Sequence, residues 1–550
     1  MSSAFRPRWP LMLMLIAGVG IVIGLTYLPS EPSGKALPAQ GGSYVEGVAG
    51  EPSLINPLFA AFNDADRDLA SLVFSGLVRL GPKGDVQPDI ADTPNVTPDG
   101  LNYIFELRPD VFWHDGERLD ADDVLFTVRT IQDPDFAGDP VLADLFRGVE
   151  LEARDGLTVI MTLPAPFAPF LARGATVGIL PEHLLDGVSA AALRDAPFNR
   201  RPIGSGPFTL VDLTSSGAVL EPFDSYHLGR PFLERLELRF YPDDGALLNA
   251  LVNDVVDGAL FRPGIGSDEI ALIEGDERWV RRVLHTTTYS LVYLNALSAP
   301  FDDQFVRTAL QRGLDMATLI ESVLDGQAVQ LDSPIVPDLW AHVGSPEEYG
   351  YDPVFAGTLL DTAGWMLEDG VRMKEGEPLR IILAASDDTV QVEVAEELAR
   401  QWRELGIEVE LQVRGASQFV EGVLLPRAFH AALVTVDPGP DPDPYPLWHS
   451  SQVFGDGRNL ASFSDPDVDR LLENGRQASS AADRAEAYRL FQEIFAREQP
   501  AVLLHTLTYQ YVVRADLQGV SPGLLLSLSS RFDDAYRWFI ETGTQADEPE

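Results

Sequence analysis

From Leu101 to Leu107 the apolar residues Leu101, Tyr103, Phe105 and Leu107 alternate with Asn102, Ile104 and Glu106, a period of two that predicts a strand with one apolar face. Arg108-Pro109-Asp110 turns the chain, Val111 to Trp113 predicts a second short strand, and His114-Asp115-Gly116-Glu117 is turn chemistry. The period then changes. Asp120 stands where a helix N-cap is needed, Asp122 and Asp123 face the positive end of the helix dipole, and Val124, Val128 and Ile131 recur at helical spacing.

The same grammar runs through the rest of the chain. Leu69, Leu72, Val73 and Leu77 predict a helix ending near Gly76, and Leu157 to Met161 predicts a strand. Leu236 to Phe240 alternates, and Ala246 to Val255 carries a helical apolar face. After the compact apolar run Leu291 to Leu294, strand and helix alternate. One helix opens at Asp302 or Asp303, with Val306, Ala309 and Leu310 inward, and another opens at Asp352-Pro353 and stops at Gly364. Leu379 to Ala384 reads as a buried strand. Residues 389–405 form a helix with Val394, Leu398, Trp402 and Leu405 on one side, and Ile407, Val409, Leu411 and Val413 alternate after Gly406. That is a βαβ unit, which makes the chain α/β. Ala481 to Arg497 is the last long helix, capped by Ser480 with Asp483 three residues on, and Val502 to Leu504 follows as an apolar crossing.

Size and charge narrow the classes. At 550 residues and 45% hydrophobic the chain has material for two or three domains. A net charge of −44 argues against nucleic-acid binding, which needs a basic face, and the acids are spread along the chain as a solvated surface. There is no cysteine, so disulfides, thiolate metal sites, thiol nucleophiles and a lipid-modified cysteine anchor are all excluded. Arg6 and Arg8 precede the apolar run Trp9 to Leu28, which is long enough to span a bilayer. Residues 1–28 are therefore expected to be a membrane anchor with everything after Pro29 outside, and 29–42, rich in Pro, Gly and Ser, a flexible tether. A signal peptide cleaved between Ser30 and Ala39 is the alternative.

The motif WHDGERLDADDVLFTV, residues 113–128, resembles the hallmark of extracytoplasmic solute-binding proteins of family 5, the receptors of ABC importers for peptides and related solutes. GEPSLINPLF at 50–59, RPIGSGPFTL at 201–210, APFDDQFVRTAL at 299–310 and YDPVFAGTLLDTAGW at 351–365 follow in the family's order, and the resemblance covers 41–540. It implies a type II periplasmic-binding-protein fold, with two α/β lobes, an inserted subdomain and two hinge crossings. Lobe I would take 43–90, 200–288 and 505–545, the insert 91–199, and lobe II 289–504. It implies a monomeric receptor without a cofactor that closes on an oligopeptide and delivers it to a membrane permease with cytoplasmic ATPase subunits. A sugar, an opine or a nickel chelate on the same fold, or a surface hydrolase or sensor that kept the fold, are the alternatives.

No enzyme constellation is visible. There is no Gly-rich phosphate loop with lysine and no His-Glu-x-x-His, and the eight histidines lack ligand spacing. Ser205 has Ile203 and Pro207 where a nucleophile elbow needs glycines, so this stretch predicts a tight loop into a strand. Asp437 to Trp448 is different. It follows the apolar strand Ala431 to Val436 and holds Asp437, Asp441 and Asp443 on a proline-stiffened loop backed by Tyr445 and Trp448, at a strand end where α/β lobes meet ligands. Its spacing lacks the alternating ligands and glycine of a calcium loop, and no metal site is expected. The resemblance implies that Asp437 pairs with a peptide's α-amino group, with Asp441 the alternative in a shifted register. Tyr293 and Asn295, at the crossing into lobe II, complete the candidate ligand set.

Overall fold

The computed structural model describes residues 36–265, 271–345, 349–455, 457–540 and 542–544. The expected anchor lies outside them, and among the described residues no helix is long and apolar enough to cross a membrane. The chain divides into two compact units, Met1–Ala39 with Glu541–Glu550, and Gln40–Ile540. The described part of the first is a two-stranded antiparallel ladder of Ala36–Pro38 with Thr542–Thr544, so part of the stretch expected as tether is strand.

In the second unit the elements follow the predicted periods. Strand β1 (Ser43–Ala49) leads to helix α1 (Asp64–Val73), capped by Asn63, whose side chain accepts from the N–H groups of Ala65 and Asp66. The helix ends before Gly76 because Phe74 is already extended. Then come β2 (Asn102–Glu106), α2 (Ala121–Gln132), β3 (Glu150–Asp155), β4 (Thr158–Thr162) and the single turn α3 (Phe170–Arg173). The second strand expected at Val111 to Trp113 is reduced to one bridge between Phe112 and Arg118. With Asn95–Val96, strands β2, β4 and β3 form a separate four-stranded antiparallel sheet, the core of the inserted subdomain.

The chain re-enters the main sheet with β5 (Phe208–Leu213), β6 (Gly217–Pro222), β7 (Arg235–Tyr241), β8 (Gly258–Phe261), β9 (Trp279–His285) and β10 (Tyr289–Leu294). After α4 (Gln304–Arg312) the βαβ unit is β11 (Arg380–Ser386), α5 (Thr389–Glu404) and β12 (Glu408–Arg414), with β11 and β12 parallel. Strand β13 (Ala431–Val436), α6 (Tyr445–Trp448), α7 (Pro466–Gln477), α8 (Ala481–Glu498) and β14 (Ala501–Arg514) complete it. The twelve-stranded sheet runs β12-β11-β13-β10-β14-β8-β1-β7-β6-β5, with β9 and Ala328–Gln330 also pairing with β14.

Strand β14 joins the two lobes. Its first half pairs with β10 and its second with β8 and β9, so the 14-residue strand and the β9–β10 segment cross side by side. The expectation from Val502 to Leu504 was a shorter strand. Thr506, Thr508 and Gln510 read as polar in sequence, yet all three are buried here. Around each half the cores are distinct. In the second lobe β10 sends Val292 and Leu294 to one face, with Leu398 and Trp402, and Tyr289, Leu291 and Tyr293 to the other, with Trp448 and Phe495. A sheet covered on both faces favours apolar residues along a central strand; all of β10 is buried, and its Ser290 hydroxyl is hydrogen-bonded to Oγ1 of Thr435 at 2.9 Å.

Candidate ligand-binding site

The family-like motifs interlock through Trp113, His114 and Asp123. Trp113, fully buried, donates from Nε1 to Oδ2 of Asp123 at 3.2 Å. The same carboxylate accepts from the Asp120 N–H in the capping box of α2 and from the Glu182 N–H at 2.8 Å. Burial raises the Asp123 carboxyl to about 6 despite those bonds. His114 N–H donates to the Gly204 carbonyl at 2.8 Å, and its Nδ1 accepts from the Gly204 N–H at 3.3 Å. Nδ1 is therefore unprotonated and Nε2 donates to the Gly206 carbonyl at 3.0 Å. Loss of water lowers the His114 imidazole to about 4. A Cβ on Gly204 would meet the Val73 carbonyl at 1.9 Å, so the glycines of the loop exist to press it onto the end of α1. His114 and Asp123 are parts of a scaffold, and Asp115 Oδ1 accepts from the Glu117 N–H at 3.1 Å within its own turn.

The loop after β13 sorts its three carboxylates differently. Asp441 is 2% exposed and bidentate with Arg484, at 2.7 and 3.1 Å. Asp443 accepts from Nε and Nη2 of Arg476 at 2.9 and 2.8 Å. Both are buried charges neutralised within the protein. Asp437 is exposed, and its Oδ1 accepts from the Gly439 N–H at 2.8 Å and from Oγ1 of Thr287 at 3.3 Å. Gly439, at φ +79°, supplies the left-handed turn that aims this N–H back at Asp437. Among the described residues no basic side chain lies within 4.0 Å of Asp437.

The other candidates are not gathered around it. Trp448 and Tyr293 are both 0% exposed and pack on each other at 5.6 Å in the lobe II core. Tyr445 is half-buried, stacked on His449 at 4.0 Å and covered by the Arg476 guanidinium at 3.9 Å. Asn295 lies at the wrong end of the sheet. Strand β10 is antiparallel to β13, with Tyr289 opposite Val436 and Leu294 opposite Ala431. Asn295 is thus about 23 Å from Asp437 at roughly 3.3 Å per residue, and its side chain donates to the Phe429 carbonyl. Asp441, Tyr293, Trp448 and Asn295 therefore have structural partners. The sequence could not separate them from Asp437, because those partners are distant in the chain or across a sheet.

Two cavities adjoin the loop. One, of about 440 Å³, lies between the end of α1, α3 and residues 526–533, with Pro440 on its wall. The other, of about 550 Å³, lies between the insert and lobe II and is walled by Pro164 to Phe167, Tyr445 and Arg476. Both fall within the range of ligand sites, roughly 300–1,000 Å³. Arg173 lines both and donates to the Pro438 carbonyl at 3.0 Å. Asp437 is on the wall of neither, one residue beyond that bond. Arg173 and Arg79 escaped the sequence reading; each stands among apolar neighbours, in FLARGA and GLVRLG, in a chain with twice as many acids as bases.

Residues 85–456 match the model of the bacterial extracellular solute-binding proteins, family 5. The chain belongs to that family. It is 28% identical over 494 residues to the oligopeptide-binding protein AppA of Bacillus subtilis, spanning 88% of this chain and 89% of the relative. It is 31% identical to Protein XP55 of Streptomyces lividans, over 88% of this chain and 86% of that one. The AppA structure in complex with a nonapeptide superposes with a TM-score of 0.63 at 26% identity, covering 92% of this chain and all of that one. NikZ from Campylobacter jejuni in complex with Ni(L-His) does so at 0.64 and 26%, covering 90% and 99%. This family member is an extracytoplasmic solute-binding protein with two α/β lobes.

Proposed function

We propose that the chain is the receptor of an ABC importer that captures oligopeptides between its lobes and presents them to a permease with cytoplasmic ATPase subunits. The observation that carries this reading is the sorting of the loop carboxylates: Asp441 and Asp443 are neutralised internally, and Asp437 stands exposed with no cation beside it among the described residues. A carboxylate in that state is ready for a ligand's ammonium group. The 28% identity to an oligopeptide-binding protein supports the same ligand class. Closure is a hinge motion about the paired crossings 286–288 and 505–508, with lobe I formed by 43–90, 200–288 and 505–545, the insert by 91–199 and lobe II by 289–504. Residues 9–28 anchor the monomer to the membrane, with the lobes outside.

The likeness to NikZ, at the same identity as the AppA structure, keeps a small chelate as the second reading. Ligands released by denaturing the purified full chain and identified by mass spectrometry separate the two. Peptides are the expected cargo. A metal chelate or a sugar in stoichiometric amount would overturn the peptide reading.

A further inference from the structure

The two strands that cross between the lobes carry nearly the same sequence. His285-Thr286-Thr287-Thr288-Tyr289 in the first matches His505-Thr506-Leu507-Thr508-Tyr509 in the second at four of five positions. They run antiparallel, with His285 opposite Thr508 and Ser290 opposite His505. A shared threonine joins them where they cross: Oγ1 of Thr506 donates to the Thr288 carbonyl at 2.9 Å.

One position departs from the repeat. Leu507 is half-buried and packs on the lobe II core with Val292 and Leu504. Its counterpart Thr287 is 2% exposed, and its hydroxyl donates to Oδ1 of Asp437 at 3.3 Å. A buried hydroxyl costs free energy unless it is bonded, and this one is bonded to the exposed carboxylate of the loop after β13. The branched Cβ of threonine restricts χ1, so the strand itself aims the hydroxyl. The other bond to Asp437, from the Gly439 N–H at 2.8 Å, lies within the loop and travels with it. Among the described residues Thr287 is thus the one hydrogen-bond partner that ties this carboxylate to another element, and both bonds fall on Oδ1, leaving Oδ2 free. With the lobes divided at 288 and 289, the bond spans the line about which they would turn.

We propose that Thr287 is a positioning residue: from the crossing strand its hydroxyl holds Oδ1 of Asp437 and leaves Oδ2 for the ligand's ammonium group, so that the hinge itself orients the amine anchor. The inference rests on the reading of Asp437 as that anchor. It accounts for the break in the repeat, since a leucine at 287 would leave the carboxylate held only from within its own loop. It also ties recognition of the amino terminus to the angle between the lobes, because turning them moves Thr287 against Asp437.

The full chain in detergent is titrated calorimetrically with alanine di- to pentapeptides, each with a free amino terminus and N-acetylated, and the two forms are compared at the length that wild type binds best. Thr287→Val keeps the branched shape and removes the hydroxyl. It should shrink the preference of wild type for the free amine by at least about fivefold, as expected for losing a hydrogen bond to a charged group, and bind the acetylated form as wild type does. Thr287→Ser, which restores the hydroxyl, should recover most of the preference. Thr287→Ala makes the same test if valine is not accommodated. If Thr287 only packs the crossing, Thr287→Val weakens both forms alike or neither. That unchanged preference overturns the inference and leaves Asp437 standing as the anchor. Equal binding of both forms by wild type, or binding of neither, overturns the anchor reading and the inference with it.

Discussion

The hallmark segment around Trp113 and the loop after β13 are both dense in acids, aromatics and turn residues, and they do opposite things with them. In the first, Asp123, His114 and Trp113 bond to backbone and to one another until nothing is left for a ligand. In the second, two carboxylates are bonded away and one is left over. A motif that identifies a family is therefore not the place to look for its ligand. What marks a binding group is the charge its own fold leaves unpaired.

Breaking the scaffold should give the largest effects. Trp113→Ala removes a fully buried ring and strips a bond from Asp123, and a loss of about 3–5 kcal/mol is expected. A shift in urea midpoint worth under about 1 kcal/mol would mean that the hallmark is not structural. Arg484→Ala should cost about 3–5 kcal/mol by leaving Asp441 buried and uncompensated, whereas Arg484→Met combined with Asp441→Leu should come close to wild type. If that double variant folds but no longer binds ligand, Asp441 has a ligand role after all.

The smaller effect is a pH dependence. His505, 2% exposed, has its imidazole lowered to about 4 by burial, while in the unfolded chain it titrates near 6.5. Between those values the unfolded state binds the extra proton, so this residue makes stability rise with pH, by on the order of 3 kcal/mol in all. His114 acts with the same sign, and Asp123 with the opposite one, since its folded carboxyl at about 6 lies above the unfolded value. His505→Gln should flatten the rise between pH 4 and 6.5. An unchanged slope in denaturation midpoints would show that His505 does not titrate across that range.

Much of the fold was legible because the signals are local. Asp120, Asp303, Asp352 and Ser480 cap helices as their positions predict, and the βαβ unit at 380–414 follows from its periods. The loop 437–448 was legible as a place, through its prolines and its strand end. The division of labour within it was not, because the deciding arginines sit 43 and 33 residues further on. Tyr293 and Trp448, buried against each other in the lobe II core, could not be told from cleft residues for a related reason: a large aromatic looks the same in sequence whether it fills a core or walls a cleft.

Asp437 carries the central claim, and a four-way calorimetric cycle tests it most directly: wild type and Asp437→Ala, each with a peptide bearing a free amino terminus and with its N-acetylated form. Losing one member of a desolvated charge pair costs about 2–5 kcal/mol, roughly 30-fold or more in affinity. Acetylation should cost wild type that much and the variant far less, while the melting temperature without ligand stays within about a degree or two, since Asp437 is exposed. Losses that simply add, or an acetylated peptide that binds wild type as tightly as the free one, would contradict the assignment of Asp437 as the amine anchor.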